Sequence, residues 1–312
     1  MRVAVVDIGT NSTRLLIADV APDGALTQRY RESIVTRLGD RVDATGCLGD
    51  EAIERVLRTL KHYRALIDEH GATATTAVLT SAVRDAANGA EFTARVRDDY
   101  GLDARTIGGD EEAALTFAGA TSERGDDGER LVVVDIGGGS TEFVIGCDGA
   151  VDFHVSTQAG VVRQTERHIR SDPPRREEVA ALRREVAEII AENVPAQARA
   201  EVSCAIAVAG TATSCAAIEL GLEPYDPARV HRHTLTRAKT TQILERLIPL
   251  TTDERRDVKG LHPDRAPVIL AGVAMLLEVF DAFELEHLEV SEHDILRGAA
   301  LALAAGSAAP RA

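Results

Sequence analysis

The stretch Leu131–Ile145, LVVVDIGGGSTEFVI, decides how this chain folds. An apolar run ends in Asp135. Three glycines follow, then Ser140, Thr141 and Glu142, then a second apolar run. Residues 3–17, VAVVDIGTNSTRLLI, have the same layout at a constant offset of 128. Asp7 aligns with Asp135, Gly9 with Gly137, Ser12 with Ser140, Thr13 with Thr141, and Arg14 with Glu142. Two copies of one strand–turn–strand unit predict a duplicated domain with a ligand held between the halves.

The β-branched runs before the turn (Val3, Val5, Val6; Val132, Val133, Val134) read as buried strands. The segments after it read as strands again, so the glycines occupy a hairpin. That argues against a Rossmann fingerprint or a P-loop, whose glycines open a helix. Glycine tolerates positive φ, so successive N–H groups can converge on an anion, with Ser and Thr hydroxyls as further donors. A carboxylate at the preceding strand end repels phosphate, which calls for a divalent cation between them. One copy could be an ordinary Gly-containing hairpin; two matching copies argue against that.

With 312 residues, the chain suits one large domain or two of ordinary size, and its hydrophobic fraction of 45% is normal for a globular protein. No apolar run reaches membrane-span length, and the N-terminus enters a strand without a signal peptide, so a cytoplasmic protein is expected. The cysteines (Cys47, Cys147, Cys204, Cys215) show no CxxC or zinc spacing. A formal net charge of −15 argues against nonspecific nucleic-acid binding. A polyanionic substrate would need a locally basic site, a metal, or both.

Glu51–His70 places Ile53, Val56, Leu57, Leu60, Tyr63 and Ile67 on one face and predicts a helix. Arg84, just past a predicted strand at Thr75–Thr80, is either a phosphate contact or a solvated helix arginine. In Gly108-Gly109-Asp110-Glu111-Glu112-Ala113, adjacent acids open a predicted helix. By position they are favourable helix-terminal charges; the functional reading is a general base. Thr121–Arg130 predicts a surface loop near a domain boundary. Cys204–Ala209 predicts a strand, Gly210–Ser214 a turn, and Cys215–Leu220 a helix: an anion or nucleotide site, or plain N-capping. His231 and His233 alternate on a predicted strand; without a nearby third ligand, the pair reads as structural rather than metal-binding. Asp264 is expected to cap a long, central, apolar helix ending near Phe283. A helix over Asp294–Ala305 ends the pattern, and the Ala/Gly/Pro tail is expected to fray.

Six motifs in order carry a resemblance: VVDIGTNSTRLLI (5–17), TSAVRDAANG (80–89), GGDEEA (108–113), VVDIGGGSTEFVIG (133–146), AGTATSCAAIEL (209–220) and DRAPVILAG (264–272). Together, from Val3 to about Leu301, the chain resembles the exopolyphosphatase/guanosine-pentaphosphate phosphohydrolase family. The resemblance implies an α/β chain of the actin-like, sugar-kinase-like ATPase superfold, with two ribonuclease-H-like domains flanking a cleft. The domains are expected at 1–118 plus the C-terminal helix 294–312, and at 119–293.

The implied chemistry is Mg²⁺-assisted hydrolysis of the terminal phosphate of inorganic polyphosphate by a Glu-activated water. Gly9, Thr10, Asn11, Ser12, Gly137, Gly138, Gly139, Ser140 and Thr141 then correspond to phosphate-binding loops. Glu112 corresponds to the catalytic base, with Glu111 as the neighbouring alternative. Asp135 and Glu142 correspond to the metal-holding acids. Arg14 and Arg84 match phosphate contacts, and Arg14 and Arg265 match positions linked to guanosine tetra- or pentaphosphate. Longer family members carry extra C-terminal domains that this chain lacks, which together with its acidity leads to an expected preference for short polyphosphate. The same residues would serve hydrolysis of guanosine pentaphosphate, a related kinase or ATPase, or a non-catalytic guanosine tetraphosphate sensor. A homodimer is a family-level expectation.

Overall fold

The structure, a computed structural model, describes residues 1–125 and 128–308. The chain divides into two compact units: Met1–Ser122 with the chain from Asp294 onward (unit 1), and Glu123–His293 (unit 2). The boundary expected at 118/119 lies inside the helix Gly109–Thr121; the units part just after that helix ends.

Unit 1 opens with β1 (Arg2–Ile8), β2 (Ser12–Val20) and β3 (Leu26–Val35), then α1 (Val42–Thr45) and α2 (Asp50–Glu69). It continues with β4 (Ala74–Leu79), α3 (Ser81–Asp85), α4 (Gly89–Tyr100), β5 (Asp103–Thr106) and α5 (Gly109–Thr121). Unit 2 begins with β6 (Leu131–Ile136), β7 (Thr141–Cys147), β8 (Ala150–Thr157), α6 (Val161–His168), α7 (Arg176–Asn193) and α8 (Ala196–Ala200). It goes on through β9 (Cys204–Val208), α9 (Ala209–Leu220), α10 (Pro227–Val230), β10 (His233–Thr236), α11 (Arg237–Leu247) and α12 (Thr252–Arg256). A 3₁₀ turn (Pro263–Arg265), α13 (Ile269–Ala282) and β11 (His287–Val290) complete it. The chain then returns to unit 1 as α14 (Ile295–Ala308); the rest of the tail expected to fray lies outside the described residues.

The duplication is visible in the hydrogen-bond ladders. The sheet orders are β3-β2-β1-β4-β5 and β10-β11-β9-β6-β7-β8. β1 and β6 each pair antiparallel with the next strand and parallel with a later one, β4 or β9. Asp7 faces Arg14 across β1/β2, as Asp135 faces Glu142 across β6/β7. Even the bulges correspond: one falls at Ile17/Ala18 and the other at Ile145/Gly146.

Alternation along β1 separates two cores. Ala4, Val6 and Ile8 pack with Val56, Leu60 and Tyr63 of α2, while Val3 and Val5 pack with Ile295, Leu296 and Ala300 of α14. In unit 2 the central helix is α13, buried from Ile269 to Phe280, packed with Val132, Val134 and Ile136 of β6. It starts later than expected. Asp264 lies instead in the 3₁₀ turn, capped by His262, and Pro263 and Pro267 withhold N–H donors there. The turn expected at Gly210–Ser214 is also absent: Ala209 takes a left-handed φ of 61°, so strand passes into helix within one residue. Among the described residues, no helix is long and apolar enough to cross a membrane.

α5 and α14 meet through glycines. A Cβ on Gly298 would lie 1.8 Å from the Leu115 carbonyl oxygen, and one on Gly119 would lie 2.0 Å from that of Asp294. Gly298→Ala is therefore expected to destabilise the protein by about 1–3 kcal/mol or more, since a backbone atom must yield. Gly306→Ala, in open space on the same helix, should be neutral or mildly stabilising. Urea midpoints of the two variants check this; equal effects would show that the helices do not meet so closely.

Candidate active site

Both hairpin loops close with the same bond: Gly9 N–H donates to Ser12 O and Gly137 N–H to Ser140 O, each at 3.0 Å. A Cβ at Gly9 or Gly137 would lie 3.1 Å from that acceptor. Positive φ, expected from the glycines, is not used: Gly9, Gly137, Gly138 and Gly139 all lie outside that region. The N–H groups are aligned another way. The carbonyls of Gly137 and Gly138 accept from Val161 and Val162 N–H at the start of α6 (2.9 Å each), and Gly139 O accepts from Arg163 Nε at 3.0 Å. A trans peptide points its N–H opposite its C=O. The N–H groups of Gly138, Gly139 and Ser140 therefore turn away from α6, an arrangement that can hold an anion.

Unit 1 repeats the device. Thr10 O accepts from Gly39 N–H at 2.8 Å, and Asn11 O accepts from Thr36 and Arg37 N–H at 3.0 and 2.9 Å. The N–H groups of Asn11 and Ser12 then face the other way. Arg37 is left-handed (φ 49°), so local strain sits in the support rather than in the loop. Close approach needs glycine on both supports: a Cβ on Gly39 would lie 2.1 Å from Thr10 Cγ2, and one on Gly160 2.4 Å from the Gly138 backbone. The buried Thr141 hydroxyl donates to Ala159 O at 2.5 Å and ties the loop to the segment after β8.

Behind the loops, the duplicated ladder carries opposite electrostatics. In unit 1, Arg14 Nε and Nη2 reach Asp7 Oδ2 at 2.7 and 2.5 Å, and Nη1 reaches Asp294 Oδ2 at 2.5 Å. Asp294 also accepts from Arg31 at 3.0 Å and, through Oδ1, from Leu296 N–H at the start of α14. Arg14, expected to contact phosphate and nucleotide, is thus held between two buried carboxylates. Burial raises the Asp7 pKa, and Arg14 opposes that rise. In unit 2, buried Asp135 and Glu142 face each other across the ladder, and Ser156, one strand further, donates to Glu142 Oε1 at 2.7 Å. Like charges directly opposed are unfavourable. A hard divalent cation fits this all-oxygen set.

Glu111 and Glu112 separate cleanly. The Glu111 side chain is 43% exposed and pairs with Arg105; that of Glu112 is 11% exposed. Glu112 Oε2 accepts from Arg84 Nη1 at 2.9 Å, and the same nitrogen donates to Ile107 O at 3.1 Å. Burial raises the Glu112 pKa to about 7; Arg84 opposes this, Asp7 adds to it, and Arg14 opposes it. A carboxyl poised near neutrality beside an arginine can exchange protons with water. Arg265, in unit 2, lies over the first turn of α9: a Cβ on Gly210 would be 1.7 Å from its Nη1. The contacts made by Asp294, Arg31, Ser156 and Gly39 escaped the sequence reading, which took Asp294 only as a helix start. Asp294 is 280 residues from Arg14, and no local pattern marks such a pair.

Duplicated sheets, each opening on a hairpin with aligned N–H groups, define an enzyme of the actin-like ATPase superfold that hydrolyses phosphoanhydrides. The chain belongs to the Ppx/GppA phosphatase family, whose sequence profile matches residues 16–301. It is 41% identical over 315 residues to exopolyphosphatase 2 of Mycobacterium tuberculosis, covering 97% of this chain and 98% of that one. The crystal structure of the Aquifex aeolicus Ppx/GppA family member is similar at a TM-score of 0.82 and 33% identity, covering 99% of each chain. An exopolyphosphatase from Cytophaga hutchinsonii matches at a TM-score of 0.89 and 26% identity, covering 98% of each.

The raised Glu112 pKa has a stability consequence. Below the ordinary glutamate range, folded and unfolded states are both protonated. Between that range and about 7, only the folded state holds the proton, so stability falls as pH rises through this window. Glu112→Gln does not titrate. Its stability relative to wild type should therefore improve from pH 5 to pH 8, by on the order of 1–3 kcal/mol. Urea unfolding across this range checks it; a difference that does not change with pH would place the Glu112 pKa at its ordinary value.

Proposed function

We propose that the chain is an exopolyphosphatase that releases the terminal phosphate of inorganic polyphosphate. The observation that carries the reading is Glu112, buried beside Arg84 with a pKa of about 7. As carboxylate, it accepts a proton from the attacking water. A new P–O bond forms at the terminal phosphorus, the bridging P–O bond breaks, and the shortened chain leaves as an anion. Arg84 fixes the Glu112 carboxylate and keeps it ionisable near neutrality. The N–H groups of Asn11, Ser12, Gly138, Gly139 and Ser140 supply phosphate donors, because the transition state needs positioning and charge neutralisation more than covalent help. Asp135 and Glu142 would hold Mg²⁺, which when bound neutralises phosphate charge. The similarity to proteins named exopolyphosphatase supports polyphosphate as substrate. The net charge of −15 supports short chains over long ones.

Phosphate release from short polyphosphate, long polyphosphate and guanosine pentaphosphate, run in parallel with Mg²⁺, tests the proposal. Short polyphosphate should turn over fastest, and Glu112→Gln should lower the rate about 10²–10⁴-fold. Activity should rise with pH through about 7, as Glu112 loses its proton. Release from guanosine pentaphosphate alone would move the assignment to that nucleotide. Binding without release from any substrate would make the chain a sensor.

Removing Mg²⁺ with EDTA should abolish turnover reversibly. Asp135→Asn and Glu142→Gln should each raise the Mg²⁺ concentration giving half-maximal rate about tenfold or more. An unchanged Mg²⁺ requirement in both variants would place the ion elsewhere.

A further inference from the structure

The two histidines of the HxH stretch have different surroundings. His233 opens β10 and pairs with Glu219, Nε2 to Oε2 at 3.0 Å. His231, outside the strand, faces two residues that the sequence keeps far away. Its Nε2 is 3.8 Å from Glu123 Oε2, and His293 Nδ1 is 3.9 Å from the same oxygen. One ligand atom from each of Glu123, His231 and His293 lies within 4.8 Å of the other two. The imidazole centroids are 4.1 Å apart. His231 Nε2 is buried and has no hydrogen-bond partner among the described residues. His231 therefore meets two further potential ligands, Glu123 and His293, from the two ends of unit 2, while His233 takes no part.

We propose that Glu123, His231 and His293 bind a dication of the zinc class. Two imidazoles and one carboxylate match Zn²⁺, Co²⁺ or Ni²⁺, whereas Mg²⁺ and Ca²⁺ favour all-oxygen sets. Ligand atoms about 2.1 Å from a tetrahedral ion sit roughly 3.4 Å apart, so the 3.8 and 3.9 Å separations must close by about 0.5 Å. Three protein ligands leave a position for water. Two contacts compete. Arg232 Nη2 lies 3.7 Å from Glu123 Oε2, on a half-exposed side chain that can swing to solvent. Glu292 N–H points at His231 Nδ1 at 3.3 Å, which places the proton of the neutral ring on Nε2. Binding through Nε2 moves that proton to Nδ1 and gives up the long contact to Glu292 N–H; because only neutral imidazole binds the ion, protonation of the rings competes with it. Without an ion, the same Nε2–H is buried with no acceptor. Glu123 and His293 are the first and last residues of unit 2, so the ion ties its two chain ends to the segment entering β10.

The test uses the full chain, stripped with EDTA and reloaded with Zn²⁺ or Co²⁺ in excess Mg²⁺. One Zn²⁺ per chain should survive gel filtration, the melting temperature should rise with Zn²⁺, and Co²⁺ should give the intense visible bands of four- or five-coordination. His231→Gln, His293→Gln and the isosteric Glu123→Gln should each weaken binding by about 100-fold or more, at or above the top of what loss of an outer-shell partner costs. His233→Gln should bind as wild type does. Melts in EDTA identify any variant that fails to fold, and the wild-type Co²⁺ spectrum stands independently of the variants. No retained Zn²⁺, weak hydrate-like Co²⁺ bands, or undiminished binding in the folded ligand variants would overturn the proposal.

Discussion

A carboxylate taken out of water costs several kcal/mol unless a partner is supplied, and that constraint shapes the acid clusters of both units. Asp7, Glu112, Asp135, Glu142 and Asp294 are all buried. In unit 1 the partners are arginines: Arg14 lies between Asp7 and Asp294, Arg31 adds to Asp294, and Arg84 holds Glu112. In unit 2 the facing group is a second carboxylate, with the Ser156 hydroxyl on Glu142. Duplication supplied one scaffold; what changed is which side chain faces the strand-end acid across the ladder.

That change turns on one aligned pair of positions, Arg14 and Glu142. With arginine, the strand-end carboxylate gains an internal cation and the row closes on itself. With glutamate, a second carboxylate stands behind the loop, the arrangement from which the proposed Mg²⁺ site is argued. The loops themselves hardly differ. Both are closed by the same Gly N–H to Ser O bond, and both have their carbonyls tied back by the segment leaving the third strand. The duplicated feature is thus a way of aiming peptide N–H groups, and charge selection was left to the neighbouring ladder position.

How much of this the sequence carried follows from distance along the chain. The repeat, the hairpins and the facing of Asp7 with Arg14 were legible because a hairpin makes its own register. The buried acid proposed as the base was legible only as one of two adjacent acids. Successive helix residues point about 100° apart, and tertiary packing decides that Glu112 turns inward to Arg84 while Glu111 meets Arg105 at the surface. Asp294 was read as a helix start, and nothing local announces its bond to Arg14. Gly39 and Gly160 support their loops by lacking a Cβ, a role visible only once the loop packs on them. The HxH pair was set aside because Glu123 and His293 are remote in sequence, yet the fold of unit 2 brings both to His231.

The ionisation of Glu112 belongs to a network rather than to one residue. Burial raises its pKa, Arg84 lowers it, Asp7 raises it, and Arg14 lowers it again. Arg14 is in turn shared with Asp294, which also raises the Asp7 pKa. Asp294 sits at the N-terminus of α14, the segment that returns to unit 1 after the whole of unit 2 has been traversed. Docking that helix therefore does more than cover the Val3/Val5 face of the sheet. It completes the counter-charge around Arg14, so the charge state of the buried acids depends on α14 being in place. Gly119 and Gly298 let α5 and α14 approach closely. Glu112 lies on α5, so the close packing that delivers Asp294 to Arg14 also seats the helix that carries this buried acid.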